Sequence, residues 1–216
     1  MKNVDDLIES ATELAAQGFS KGEISDELNV SRETASWLVD RGGSTTVSGR
    51  NDAGTAATGD TTTDLADVHV DWSAIGRDST RLAHLGAMMA DLLAGEDVDL
   101  TVGVGKSGAP LATVVGGELA TDFAVYMPGK YQWNDDDTDA VPGSFSQNFA
   151  GVEDRDCYLV DDNIDTGQTM TETIERVREH GGTPRGAVVL TDKLGEDEIR
   201  SVPVHSLVKM VQMGED

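Results

Sequence analysis

The sequence predicts an α/β protein: a parallel sheet with helices on both faces and a small hood, preceded by a small all-α domain. Three features predict it. Apolar runs of strand length alternate with helical segments from residue 68 onward. One such run, 158–160, meets two acids and passes through a Thr-Gly turn into a helix. Residues 1–43 show only helical spacing, and 44–67 hold too few large apolar residues to bury a core.

The 216-residue chain carries 40 acidic against 16 basic residues, a formal net charge of −24. The acids are spread along the chain rather than gathered in a tail, and a hydrophobic content of 38% with clear periodicity excludes wholesale disorder. That pattern suits a protein adapted to molar salt. The single cysteine, Cys157, excludes an intrachain disulfide and suits a reducing compartment. No apolar leader opens the chain, and no run approaches the roughly 18 apolar residues of a membrane span. A soluble, cytoplasmic protein without a membrane partner is expected.

Residues 3–41 read as three short helices. Val4, Leu7, Ile8, Ala11, Leu14 and Ala15 form the apolar stripe of the first, which Gly18 breaks. Ser20 and Glu23 make a capping box for the second, with Ile24 and Leu28 as its buried side. Asn29 and Val30 make a turn, Ser31 caps the third, and Ala35, Leu38 and Val39 face inward before Gly42 and Gly43 end it. The segment 19–34 resembles the helix-turn-helix of prokaryotic transcription regulators. That resemblance implies promoter DNA as a partner, with Arg32, Glu33, Ser36 and Trp37 toward the major groove and Ser31 and Thr34 on phosphates. The alternative is a generic three-helix bundle used for dimerisation. Four basic residues in 1–43 face nine acidic ones, the reverse of a basic footprint. In molar salt the Debye length falls to about 3 Å and counterion release drives little binding, so the deficit counts less. Residues 44–67 read as a flexible linker, with a weakly signalled wing hairpin through Thr45, Thr46 and Val47.

In 68–216, Val68, Val70 and Trp72 suggest a short strand or extended edge, and Leu82, Leu85, Met89, Leu92 and Leu93 mark a helix. A buried strand at 100–104 leads through a loop at 105–108 into a helix at Pro110, whose missing N–H costs nothing in a first turn. Further strands fall at 123–126 and 187–190. Between them, the strand 158–160 ends at Asp161 and Asp162, and the helix 169–179 is stopped by Gly181 and Gly182. A strand feeding a tight turn at a helix N-terminus builds an anion site, because unbonded N–H groups and the helix dipole point at the turn. Gly167 admits a phosphate close to the backbone, Thr166 and Thr169 add hydroxyl donors, and Gln168 lies in the same turn. Asp161 and Asp162 sit at the height of a ribose, where they can accept from two hydroxyls or hold a hydrated Mg²⁺. No Gly-Lys-Ser/Thr follows the glycine, so this is not a P-loop. The plain alternative is an ordinary turn with an acidic cap.

Acid-acid-x-x-x-Thr-Gly-x-Thr after an apolar strand resembles the ribose-5-phosphate loop of type I phosphoribosyltransferases. The stretch 102–112 resembles the diphosphate loop of the orotate members, and 203–208 their closing hood strand; together the likeness spans about 70–213. It implies phosphoribosyl transfer from a ribose diphosphate to a nucleobase with Mg²⁺, and a homodimer paired through the core domain. Lys106, Ser107 and Gly108 would lie in the diphosphate loop. Asp165 would face the base and is the catalytic candidate were the chain active. Lys193 would reach a base carbonyl or end as a solvated strand terminus.

One segment departs. Active orotate and adenine members resemble one another in an Arg-Lys pair after the strand at 123–126, followed by a basic mobile loop. Here the chain reads Met127, Pro128, Gly129, Lys130, and then Asp135, Asp136, Asp137 and Asp139. Such acids repel a diphosphate, and charge on the departing group is what such an enzyme must stabilise. A kept phosphoribose pocket with absent or vestigial transfer is expected, requiring no cofactor and taking Mg²⁺ only with a diphosphate ligand. Both domains together resemble the haloarchaeal orotate phosphoribosyltransferase-like transcriptional regulators. This implies control of sugar-catabolism genes by a phosphorylated ribose or sugar metabolite. The competing expectation is an active orotate or purine phosphoribosyltransferase whose N-terminal helices serve assembly.

Overall fold

The computed structural model describes residues 4–19, 21–30, 32–43, 68, 70–93, 95, 97–129 and 143–211. The chain divides into two compact units, Met1–Val70 and Asp71–Asp216. The proposed linker and wing at 44–67, Ser20 of the capping box, Lys130 and the acids at 135–139 all lie outside the described residues.

In the first unit, α1 (Val4–Ala16), α2 (Lys21–Leu28) and α3 (Arg32–Gly43) enclose Ala11, Ile24, Leu28, Val30, Ala35 and Leu38. The stripe of α1 is one residue shorter than its spacing predicts: Val4, in the first turn, is 56% exposed. Val30, read from sequence as turn, is instead core. Asn29 takes a left-handed conformation (φ 51), which turns the chain so that Val30 drops inward; the Val30 amide then donates to the Ser25 carbonyl at 3.0 Å. Asn tolerates that region better than most residues.

Among the described residues, Val68 and 70–72 form no strand, the first of the two forms expected there. Asp71 Oδ1 accepts from the Ser73 amide at 3.0 Å and turns the chain into the short helix α4 (Ser73–Gly76). Helix α5 (Ser79–Leu92) follows, capped by Asp78, whose side chain accepts from the Arg81 amide. Leu85 and Met89 are buried on it as the spacing predicts, while Leu92 is 38% exposed. The strands are β1 (Leu100–Val104), β2 (Asp122–Met127), β3 (Ser144–Phe145), β4 (Asp156–Ile164), β5 (Thr183–Asp192), β6 (Glu198–Ile199) and β7 (Val202–Lys209), with α6 (Gly105–Leu119) and α7 (Gln168–Glu179) between them. The sheet order is β3-β2-β1-β4-β5-β7-β6. The inner five strands run parallel, and the two-residue strands β3 and β6 lie antiparallel at the edges. The stretch expected to return as a hood is therefore β7, a member of the main sheet, because Val202 and Val204 bury against its core.

Alternation along the central strands splits the core. On β4 and β5, Cys157, Leu159, Ala187 and Val189 join Ile174 and Val177 of α7 on one face. Tyr158, Val160, Val188 and Leu190 join α5 and α6 on the other. Burial, then the Asp156 carboxylate, push the Cys157 thiol up to about 12, so it stays a neutral core side chain. Tyr158 satisfies its hydroxyl by donating to the Leu93 carbonyl at 2.7 Å. No described helix is long and apolar enough to cross a membrane.

Helix α6 starts immediately after β1, so the loop expected at 105–108 is its first turn and Pro110 falls in the second. The early start follows from Gly105, whose φ of 65 reverses the chain within one residue. The helix lies on β1 at Gly103, where a Cβ would stand 2.7 Å from Ala109 Cα. Gly103→Ala therefore overpacks a backbone contact that no rotamer can relieve. It is expected to cost about 1–3 kcal/mol, read as a lower denaturation midpoint at constant KCl.

Candidate functional site

The candidate residues gather at the carboxyl ends of β1, β4 and β5, where a parallel sheet leaves its loops uncovered. Strand β4 runs on past its apolar half through Asp161 and Asp162 to Ile164, because β5 pairs with it as far as Asp192. The paired acids thus sit within the strand rather than after it. The first turn of α6 abuts them: a Cβ on Gly108 would stand 2.5 Å from the Val160 carbonyl oxygen and 3.1 Å from Asp161 Oδ1. That glycine lets Lys106 and Ser107 be carried against the end of β4.

The two acids have different surroundings. Asp161 is half-buried, and its Oδ1 accepts from the Asp162 amide at 2.9 Å. Asp162 is buried, and its Oδ2 accepts from the indole N–H of Trp72 at 3.0 Å, across ninety positions of sequence. Nothing in the pattern around Trp72 signals that partnership. Magnesium is held by one or two carboxylates plus substrate phosphates and water. Among the described residues no three acidic, His or Cys side chains come together to hold an ion.

The turn after β4 leads into a helix N-terminus that no side chain caps. Gly167, with φ 75, is the N-cap of α7. Its carbonyl accepts from the Thr171 amide at 2.8 Å. Helix geometry leaves the first amides, from Gln168 on, without intrahelical acceptors, and the positive end of the dipole is added to them. Thr166 and Gln168 are exposed and Thr169 is half-buried. Arg176 and Arg178 lie in the last turn, complementing the opposite end of the dipole.

Lys193 is not the solvated strand end that sequence allowed. It is buried, and its Nζ makes an ion pair with Asp165 Oδ1 at 2.6 Å. Its amide also donates to the Ile164 carbonyl at 2.9 Å, which holds the end of β5 to the end of β4. A second set of residues was not legible in sequence: Tyr126 of β2 donates to Glu172 Oε1 of α7 at 2.7 Å, and the Gly129 amide donates to the same oxygen at 3.2 Å. Burial and then the Glu172 hydrogen bond push the phenol above its usual range, keeping it a donor.

The candidate DNA-reading residues belong to the other unit. Ser31 and the side chains of Arg32 and Glu33 lie outside the described residues. Thr34 and Ser36 are half-buried, and Ser36 Oγ accepts from Lys21 Nζ at 2.7 Å. Trp37 is 46% exposed, with the Arg41 guanidinium 5.0 Å above its ring.

A parallel sheet with an uncapped helix over a Thr-Gly turn, paired acids and a close-packed first turn of α6 is the build of a phosphoribosyltransferase domain. Residues 71–211 match the family model described as a phosphoribosyl transferase domain. Over 215 residues the chain is 60% identical to a protein of Halorubrum lacusprofundi named Transcriptional regulator GfcR, covering 99% of this chain and 98% of that one. It is 56% identical over 218 residues to the protein of the same name from Haloarcula marismortui, covering 100% and 99%. The chain therefore belongs to the phosphoribosyl transferase family, in the branch formed with these full-length relatives. Among solved structures, adenine phosphoribosyltransferase from Thermoanaerobacter pseudethanolicus shares the fold, with a TM-score of 0.55 at 20% identity over 68% of this chain and 92% of that one.

The buried ion pair gives the site its own stability test. Asp165→Ala leaves the Lys193 ammonium buried without its nearest carboxylate and should destabilise the protein by about 3 kcal/mol, the lower end for a broken buried pair because Asp165 is partly exposed. Reversible unfolding in guanidinium chloride would measure it.

Proposed function

We propose that this chain is a DNA-binding transcriptional regulator whose phosphoribosyltransferase-like unit senses a phosphorylated ribose or sugar metabolite. The observation that carries the ligand reading is the uncapped N-terminus of α7 behind Gly167, with Asp161 beside it. In this reading the first amides of α7 and the hydroxyls of Thr166 and Thr169 hold a phosphate, and Asp161 accepts from a sugar hydroxyl. Lys106, Ser107 and Gly108 meet a second phosphate where the ligand has one, and Mg²⁺ enters only with such a diphosphate. Asp165 and Lys193 hold the turn by their ion pair.

Three supports favour regulation over catalysis. The relatives that match end to end are named transcriptional regulators. The sequence after β2 lacks an Arg-Lys pair and turns acidic at 135–139. The first unit has three helices with a tight turn at Asn29 between α2 and α3, which is compatible with a helix-turn-helix. Residues 1–43 are then the DNA reader, 44–67 the linker and 68–216 the effector domain. A homodimer supplies two readers for two half-sites about one helical turn apart. Sugar-catabolism genes are the targets this reading favours, in a cytoplasm of high salt.

Three experiments test it. With 5-phosphoribosyl 1-diphosphate or ribose 5-phosphate at a hundred-fold excess over Kd, the protein should gain about 2.7 kcal/mol of stability, read as a higher Tm in molar KCl. The double variant T166V/T169V should lose that gain; a full gain in the variant places the pocket elsewhere. Release of diphosphate with any common nucleobase at about 1 s⁻¹ or faster, an ordinary enzymatic rate, would instead establish a transferase. Footprinting on promoter DNA should show protection by the wild type, and Arg32→Ala should lose about 1–3 kcal/mol of discrimination if it reads a guanine edge. No protection under any ligand condition overturns the regulator.

A further inference from the structure

Helix α5 has two faces of different chemistry. Leu85, Met89 and Ala90 are buried, and a Cβ on Gly86 would overlap the Val114 side chain of α6, so that face packs on the core of the second unit. The opposite face carries Arg81, His84, Met88 and Asp91, all exposed. Their spacing of three, four and three residues places them along one seam. Met88 is 53% exposed at the middle of it, and Leu92, also exposed, stands one turn further on.

Charge sets this helix apart. The chain carries 40 acids in 216 residues, yet α5 holds one, Asp91, balanced by Arg81. By contrast α1 carries Asp5, Asp6, Glu9 and Glu13 with no base, and α2 sets Glu23, Asp26 and Glu27 against Lys21. When two copies of a chain of net charge −24 touch, most of this surface would press acid on acid. The core of a protein interface is depleted in charge. A neutral, partly apolar helix face is where such copies can meet.

The signs match a second copy rather than an unrelated partner. Arg81 and Asp91 lie equally far from Gly86 on either side of it, and so do His84 and Met88. A two-fold axis level with Gly86 lays α5 antiparallel on its own copy, so that residue i meets j and j meets i. His84 then faces Met88 twice in the middle of the seam, and Arg81 faces Asp91 twice at its ends. One sequence supplies both halves of each pair. We propose that two copies of this chain pair through α5, antiparallel about Gly86. The proposal rests on the homodimer of the regulator reading and gives it a surface; it depends on neither the ligand nor the DNA. A single helix pair is a small contact, at the low end for specific interfaces, so pairing follows protein concentration.

The test is sedimentation velocity of the full chain over a concentration ladder in molar KCl, with disulfide trapping beside it. The wild type should pass from the single-chain mass of 22.9 kDa toward twice that mass. Met88→Asp puts a carboxylate at the centre of the seam and should weaken pairing about tenfold, with Tm unchanged. Arg81→Asp and Asp91→Arg set like charges together and should each weaken it about threefold; the double reversal should restore it. Cys157 is buried, so introduced thiols report alone. His84→Cys mixed with Met88→Cys should oxidise to a covalent dimer ahead of either variant by itself. In a single variant the two thiols lie about 6 Å further apart along the seam, four residues of helical rise. Single variants that link as fast as the mixture, or a double reversal no better than its parts, overturn the antiparallel seam. Dimers that survive Met88→Asp and yield no mixed link overturn it too, and leave a homodimer paired elsewhere. A wild type at single-chain mass throughout removes seam and homodimer together.

Discussion

Helix α6 meets the backbone of the sheet at two glycines, and the site depends on that approach. Gly103 admits Ala109 to within van der Waals reach of β1, and Gly108 admits the same helix to the end of β4. Any side chain at either position would lift the helix off the sheet. Lys106 and Ser107 would then stand away from Asp161, and the two loops of the site would no longer share a rim. The core is close-packed here for a reason of function as much as of stability, since packing density transmits a shift of one helix directly to its neighbours. The uncapped end of α7 on the opposite face completes the arrangement, so both helices present their N-termini beside the same strand.

The parallel sheet and its ligand edge were legible because their signals are periodic. Leu100 to Val104 is a continuous apolar run, buried at every position, and the Thr-Gly turn after β4 is a local device that only a helix start explains. The errors came where a long-range partner overrode local preference. The acids of β4 read as a strand terminus by composition, yet β5 extends the ladder past them. Trp72 read as part of an edge strand, yet Asp71 caps the Ser73 amide and sends the indole to a carboxylate ninety residues away. Lys193 read either as reaching a ligand's base or as a solvated strand end, and Asp165 draws it inside, against the second reading. Each miss concerns a polar group whose partner is distant in sequence, which pattern alone does not encode.

Charge divides between the two units in a telling way. The basic side chains described on the helical unit are spoken for internally: Lys21 donates to Ser36 and lies 3.7 Å from Asp40, and Arg41 stacks on Trp37. A surface whose cations are committed to its own acids offers little field at long range. Under the proposed DNA reading, recognition by such a unit would come from shape and direct contact, which is also what high salt leaves available.

The Tyr126 and Glu172 pair has a further bearing on how this chain can vary. Gly129 donates to Glu172, and a Cβ on Gly143 would overlap the Tyr126 hydroxyl, so these two glycines both meet the Tyr126 and Glu172 pair. The ends of a loop held at a common staple are already closed. Lengthening what lies between them then costs only a logarithmic entropy, about 0.6 kcal/mol per doubling. The staple thus makes the sheet's edge indifferent to what the chain carries between Gly129 and Gly143, whether basic or acidic, short or long.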